Sequence, residues 1–122
     1  MNKKILIADD EQNIVISLEF LMKREGFDVV VANDGEEAVE RIRSEHPDLV
    51  LLDVMMPKKT GFEVCQEVKA DASLATVRIL MLTAKGRDTE VAKGLALGAD
   101  AYMTKPFSTR ELVDKVRSLL EQ

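Results

Sequence analysis

The sequence predicts a doubly wound α/β fold, with five parallel strands in one sheet and helices covering both faces. Short apolar runs recur along the chain, and each is followed by a segment with apolar residues at helical spacing. The runs at residues 5–8 and 49–52 are apolar without a break, as strands buried on both faces are. At 122 residues, 46% hydrophobic and 32% charged, the chain is one domain of ordinary globular composition, residues 1–122.

Ile5-Leu6-Ile7-Ala8 is the first strand and ends in two carboxylates, Asp9 and Asp10. Residues 13–25 carry Ile14, Leu18, Leu21 and Met22 at helical spacing, and Gly26 stops that helix as a C′ residue does. Residues 27–32, with Val29, Val30 and Val31, form the second strand. Asp34-Gly-Glu-Glu37 opens the next helix as a capping box, with Ala38, Val39 and Ile42 inward. His46-Pro47 ends it, because a residue before proline is pushed out of the α region.

The third strand runs from residue 49 into Asp53, and Pro57 and Gly61 break the chain after it. Phe62, Cys65 and Val68 mark a short helix that dissolves at Asp71-Ala-Ser73. Residues 77–82 make the fourth strand, ending in Thr83. Asp88 is placed to cap a helix with Val91, Ala92, Leu95 and Ala96 inward, closed by Gly98. Residues 99–103 are the fifth strand, followed by Thr104-Lys105-Pro106. Ser108-Thr-Arg-Glu111 is a second capping box, and Leu112, Val116, Leu119 and Leu120 face inward after it.

Composition narrows the function. The net charge of −5 and the absence of a basic stripe argue against direct nucleic-acid binding. Cys65 is the single cysteine, so no internal disulfide forms, and its apolar neighbours give it a buried packing role. The N-terminal apolar run is too short for a signal peptide or a membrane span, and a cytoplasmic location is the expectation.

In a parallel sheet the carboxyl ends of all strands lie along one edge. That edge gathers Asp9, Asp10, Asp53, Thr83 and Lys105. Three crowded carboxylates repel unless a cation joins them, and Mg2+ is the ion that such oxygen donors suit. Lys105 and the Thr83 hydroxyl would surround a phosphoryl group, and an aspartate can take one up as an acyl phosphate. Asp53 is then the acceptor, because the Asp9–Asp10 pair is better placed for metal. Singly, each residue has an ordinary explanation: helix capping for Asp9 and Asp10, a turn for Asp53, a half-buried aromatic for Tyr102. Lys58-Lys59 reads as a solvated loop, and His46 is given no role.

Together these motifs resemble a bacterial two-component response-regulator receiver domain from end to end, chemotaxis receivers included. The matching residues are Asp9-Asp10, Asp53-Val-Met-Met-Pro-Lys-Lys-Thr-Gly61, Leu82-Thr83-Ala84 and Tyr102-Met-Thr-Lys105-Pro106-Phe107. The resemblance implies the strand order 2-1-3-4-5. It implies that Asp53 receives a phosphoryl group from the phosphohistidine of a sensor histidine kinase or phosphotransfer protein. Asp10, Asp53 and the backbone carbonyl of Met55 would ligate Mg2+, with Asp9 acting through a water. It implies further that Thr83 and Tyr102 are the switch residues, that Lys105-Pro106 is a cis peptide, and that the face built by the fourth helix, fifth strand and fifth helix controls a downstream effector. The domain would itself be no enzyme, and either a monomer or a phosphorylation-dependent dimer.

Two rivals fall behind. An aspartyl phosphatase of the common kind needs Asp-x-Asp, whereas Val54 and Met55 follow Asp53. A flavodoxin-like nucleotide binder needs a glycine-rich first turn, and Asp9-Asp10-Glu11 would repel phosphate. The output is less legible. Receivers of winged-helix transcription factors usually carry a basic residue at position 91 and acids at 100 and 101. This chain keeps Asp100, Glu111 and Lys115 but has Val91 and Ala101, which favours a single-domain receiver or a different output module. Met55 and Lys85, each two residues beyond a site residue, are positions that can shield or admit attacking water.

Overall fold

The computed structural model describes residues 2–84 and 88–121. Strands β1 (Lys4–Ala8), β2 (Asp28–Ala32), β3 (Leu49–Asp53), β4 (Arg78–Ala84) and β5 (Ala101–Lys105) alternate with helices α1 (Gln12–Arg24), α2 (Gly35–Glu45), α3 (Gly61–Ala70), α4 (Asp88–Ala96) and α5 (Thr109–Leu120). All strand pairs are parallel, in the order β2-β1-β3-β4-β5. The expected architecture and strand order are both observed.

The unbroken apolar runs divide between two cores by the two-residue period of a strand. Leu6, Val50, Leu52, Ile79 and Met81 face Ala38, Val39 and Ile42 of α2 and Val64, Cys65 and Val68 of α3. Ile5, Ile7, Leu49, Leu51, Leu80 and Leu82 face α1 and α5, meeting Val15, Leu18, Leu21, Leu112, Val116 and Leu119. Cys65 is fully buried, as expected, and burial pushes its thiol up to about 11. Gly26 and Gly98 take φ of 91° and 108°, the left-handed conformation that ends a helix at low cost.

Some expectations are corrected. α4 turns Gly94 inward, against Met81 and Phe62, while Ala92, Leu95 and Ala96 lie exposed and Val91 is half-buried. Asp88 sits inside its first turn rather than before it. β5 begins two residues later than expected. The Asp100 carboxylate takes the Ile79 N–H at 2.7 Å, and Ala99 N–H closes the helix end on the Gly94 carbonyl at 3.1 Å. The reciprocal capping box falls at α3, where Thr60 and Glu63 satisfy each other. At α2, Asp34 accepts from Glu37 N–H at 2.8 Å, but the Glu37 carboxylate reaches back to Asn33 N–H at 2.7 Å. At α5, Ser108 accepts from Glu111 N–H at 3.0 Å, with no return bond among the described residues. Lys59 is not a solvated loop residue: it is half-buried and pairs with Glu67 at 2.6 Å.

Candidate functional site

The carboxyl edge of the sheet assembles the site. Asp53 is the last residue of β3, Thr83 lies next to last in β4, Lys105 ends β5, and Asp9 and Asp10 follow β1 directly. The register sets β5 against β4 with Thr83 opposite Thr104 and Ala84 opposite Lys105, which brings the lysine to the same rim. Its ammonium donates to Asp9 Oδ2 at 3.0 Å and to Asp53 Oδ1 at 3.3 Å. Lys105-Pro106 is a cis peptide, as the resemblance implied.

Asp9 is fully buried, and its other oxygen accepts the Glu11 N–H at 2.9 Å, so it also helps to start α1. Asp10 is exposed. One carboxylate oxygen each from Asp9, Asp10 and Asp53 lie within 4.8 Å of one another. Three acids against one lysine leave uncompensated negative charge, which hard oxygen donors resolve with a divalent cation. The donor set therefore fits Mg2+.

Electrostatics mark Asp53 as the unusual member. Burial, and then the neighbouring Asp9 charge, push its carboxyl up to about 6 despite the opposing pull of Lys105. For Lys105, burial alone would lower the ammonium. The hydrogen bond to Asp9 and the charges of Asp53 and Asp9 outweigh that and raise it above its ordinary value.

Thr83 is 1% exposed, and its Oγ1 has no hydrogen-bond partner among the described residues. A buried hydroxyl without a partner is costly, which sets Thr83 apart from the other described residues. A cavity at this edge of the sheet measures about 290 Å³. Asp10 and Glu11 line it from the β1–α1 turn, Asp53, Val54 and Met55 from the end of β3, Ala84 and Glu90 from β4 and α4, and Lys105 from β5.

The structure thus brings Asp9, Asp10, Asp53 and Lys105 together, with Met55 63% exposed at the cavity wall. Tyr102 lies apart from them. It is 43% exposed and lines a second cavity, of about 500 Å³, with Leu95, Glu111 and Lys115. Lys85 lies outside the described residues. Sequence reasoning missed Glu11 and Glu90 as cavity residues. Glu11 was signalled by adjacency to Asp9-Asp10, whereas Glu90 depends on how α4 is rotated, which no local pattern conveys. No helix among the described residues is long and apolar enough to cross a membrane.

Comparison with known proteins agrees with this fold. The family model for the response regulator receiver domain matches residues 5–117. The alkaline phosphatase synthesis transcriptional regulatory protein PhoP of Bacillus subtilis is 49% identical over 122 residues, covering 100% of this chain and 50% of that protein. The chain therefore spans about half the length of that relative. A putative response regulator from Chloroflexus aurantiacus superposes with a TM-score of 0.96 at 34% identity, over 100% of both chains. The BeF3-activated N-terminal receiver domain of Klebsiella pneumoniae RstA gives 0.91 at 31% identity, over 98% of this chain and 100% of that one. With the acidic trio and the lysine gathered on one sheet edge, and the family match spanning nearly the whole chain, this protein belongs to the response regulator receiver domain family.

Proposed function

We propose that Asp53 accepts a phosphoryl group from the phosphohistidine of a sensor histidine kinase or phosphotransfer protein, making this domain a switch in a two-component phosphorelay. The observation that carries the reading is the Asp53 carboxylate. It is buried at the rim with oxygens of Asp9 and Asp10 within 4.8 Å and the Lys105 ammonium at 3.3 Å.

In this reading Asp10, Asp53 and the Met55 backbone carbonyl hold Mg2+, and Asp9 acts through a water. When bound, Mg2+ supplies positive charge to the phosphoryl oxygens. An Asp53 carboxylate oxygen attacks phosphorus. The new P–O bond forms as the donor's P–N bond breaks, and that electron pair returns to the imidazole ring. Lys105 neutralises charge on the transferring group, so the chain's contribution is positioning and electrostatics. The Thr83 hydroxyl, without a described partner in this state, then donates to a phosphoryl oxygen. Its movement frees space for Tyr102 and shifts the face of α4, β5 and α5 towards its active state. The switch works in the cytoplasm, alone or as a phosphorylation-dependent dimer, without contacting nucleic acid itself.

A second reading makes this chain the receiver half of a DNA-binding transcriptional regulator. The 49% identity to half of PhoP, a protein named as a transcriptional regulator, favours it. Reading the coding sequence beyond Gln122 separates it from a single-domain receiver. For the central reading, intact mass after incubation with acetyl phosphate and Mg2+ should rise by one phosphoryl group in the wild type and not in Asp53→Asn. Labelling of Asp53→Asn to the wild-type extent would overturn the assignment.

A further inference from the structure

The loop that carries Met55 away from Asp53 is held from a direction that supplies no ligand. Its ends are drawn together by the Gly61 N–H donating to the Val54 carbonyl at 2.8 Å, and a side chain at Gly61 would run into the Asp53 carbonyl. Its middle rests on the start of α2. The Pro57 carbonyl accepts from Lys59 N–H at 2.8 Å and from Gly35 N–H at 3.2 Å. A Cβ at Gly35 would overlap the backbone carbonyl of Lys59, so the two backbones touch where glycine alone fits. Lys58, at φ 70°, places its ammonium 3.7 Å from the Asp34 carboxylate, whose other oxygen caps α2. Met55 stands two residues before Pro57 and lines the cavity shared with Asp10 and Asp53.

We propose that Gly35 is a positioning residue for the metal site, setting the place of Met55 through the Pro57–Lys59 backbone. The inference rests on the Mg2+ site proposed above. Changing the contacts that support a ligand typically costs about 10–100-fold in metal affinity. A methyl group at position 35 must push α2 and the loop apart, and Met55 moves with the loop while Asp53 stays on β3 and Asp9 and Asp10 stay at the end of β1.

The test is Mg2+ affinity by calorimetric titration, with Mn2+ binding followed by the free-ion paramagnetic resonance signal. Gly35→Ala should weaken both at least about tenfold. Val39→Ala, which removes core volume from the same helix, should lower the melting temperature yet bind as wild type does. Wild-type affinity in a folded Gly35→Ala protein would overturn the inference. If Gly35→Ala does not fold, the wild-type amide spectrum decides. The Gly35 N–H should shift on Mg2+ titration with the same midpoint as the amides of Val54 and Met55, while Gly26 and Gly98 stay fixed; an unmoved Gly35 overturns the proposal. Failure of the underlying site looks different: Asp10→Ala would then bind Mg2+ as tightly as the wild type.

Discussion

Asp53 is 7% exposed at the end of β3, and burial together with the Asp9 charge pushes its carboxyl up to about 6. An unfolded aspartate titrates near 3.9. Between about pH 4 and pH 6 the folded protein thus holds a proton that the unfolded chain has released. The stability of the metal-free protein is therefore fullest, for this group, below about pH 4 and declines as pH rises through about 6. Asp53→Asn removes the penalty. It should be more stable than wild type by on the order of 1–3 kcal/mol near pH 7.5, with the gap closing towards pH 4. Urea denaturation in EDTA at the two pH values checks this, and a gap independent of pH would mean that the buried charge is not its source. The same side chain was only a suspicious carboxylate in the sequence. Its neighbours made it legible, because none of the rim residues has an unusual identity on its own.

Among the elements, α5 and α4 show where a pattern suffices and where it does not. Leu112, Val116 and Leu119 form one apolar stripe on α5, and all three are buried. On α4 the spacing points to Val91, Ala92, Leu95 and Ala96, yet three of these are exposed and Val91 is half-buried. The residue it buries, Gly94, carries no hydrophobic signal at all. A Cβ built at Gly94 would lie 3.5 Å from Met81 Cγ, an ordinary contact. Gly94→Ala should therefore fit and gain about 0.5–1 kcal/mol, because alanine loses less backbone freedom than glycine when the helix forms. A rise of a few degrees in melting temperature is expected; a fall would mean that α4 packs more tightly on Met81 than the structure places it. Capping followed the same logic. Asp34 and Ser108 were recognisable as N-caps, but the partner of the returning Glu37 carboxylate depends on how the chain enters the helix, which the local sequence does not specify.

For the whole molecule, the sheet order turns four separate strand ends into one site. β1, β3 and β4 are adjacent in the sheet, and β5 delivers Lys105 from the edge. The alternation of strands and helices made this edge foreseeable, since parallel strands must end together. The rotation of α4 about its axis and the seating of the β3–α3 loop on α2 were not, because both depend on contacts between distant segments. Bridging β1 and β3 with a cation should stabilise the whole domain. At a hundred times its dissociation constant Mg2+ adds about 2.7 kcal/mol by mass action, which thermal melts would register, and Asp10→Ala should lose most of that increment. The most direct test of the account is chemical. An aspartyl phosphate is reduced by borohydride to homoserine, so protein incubated with acetyl phosphate and Mg2+, reduced and mapped by peptide mass spectrometry should carry homoserine at position 53. Homoserine at Asp9 or Asp10 instead, with Asp53 intact, would contradict it.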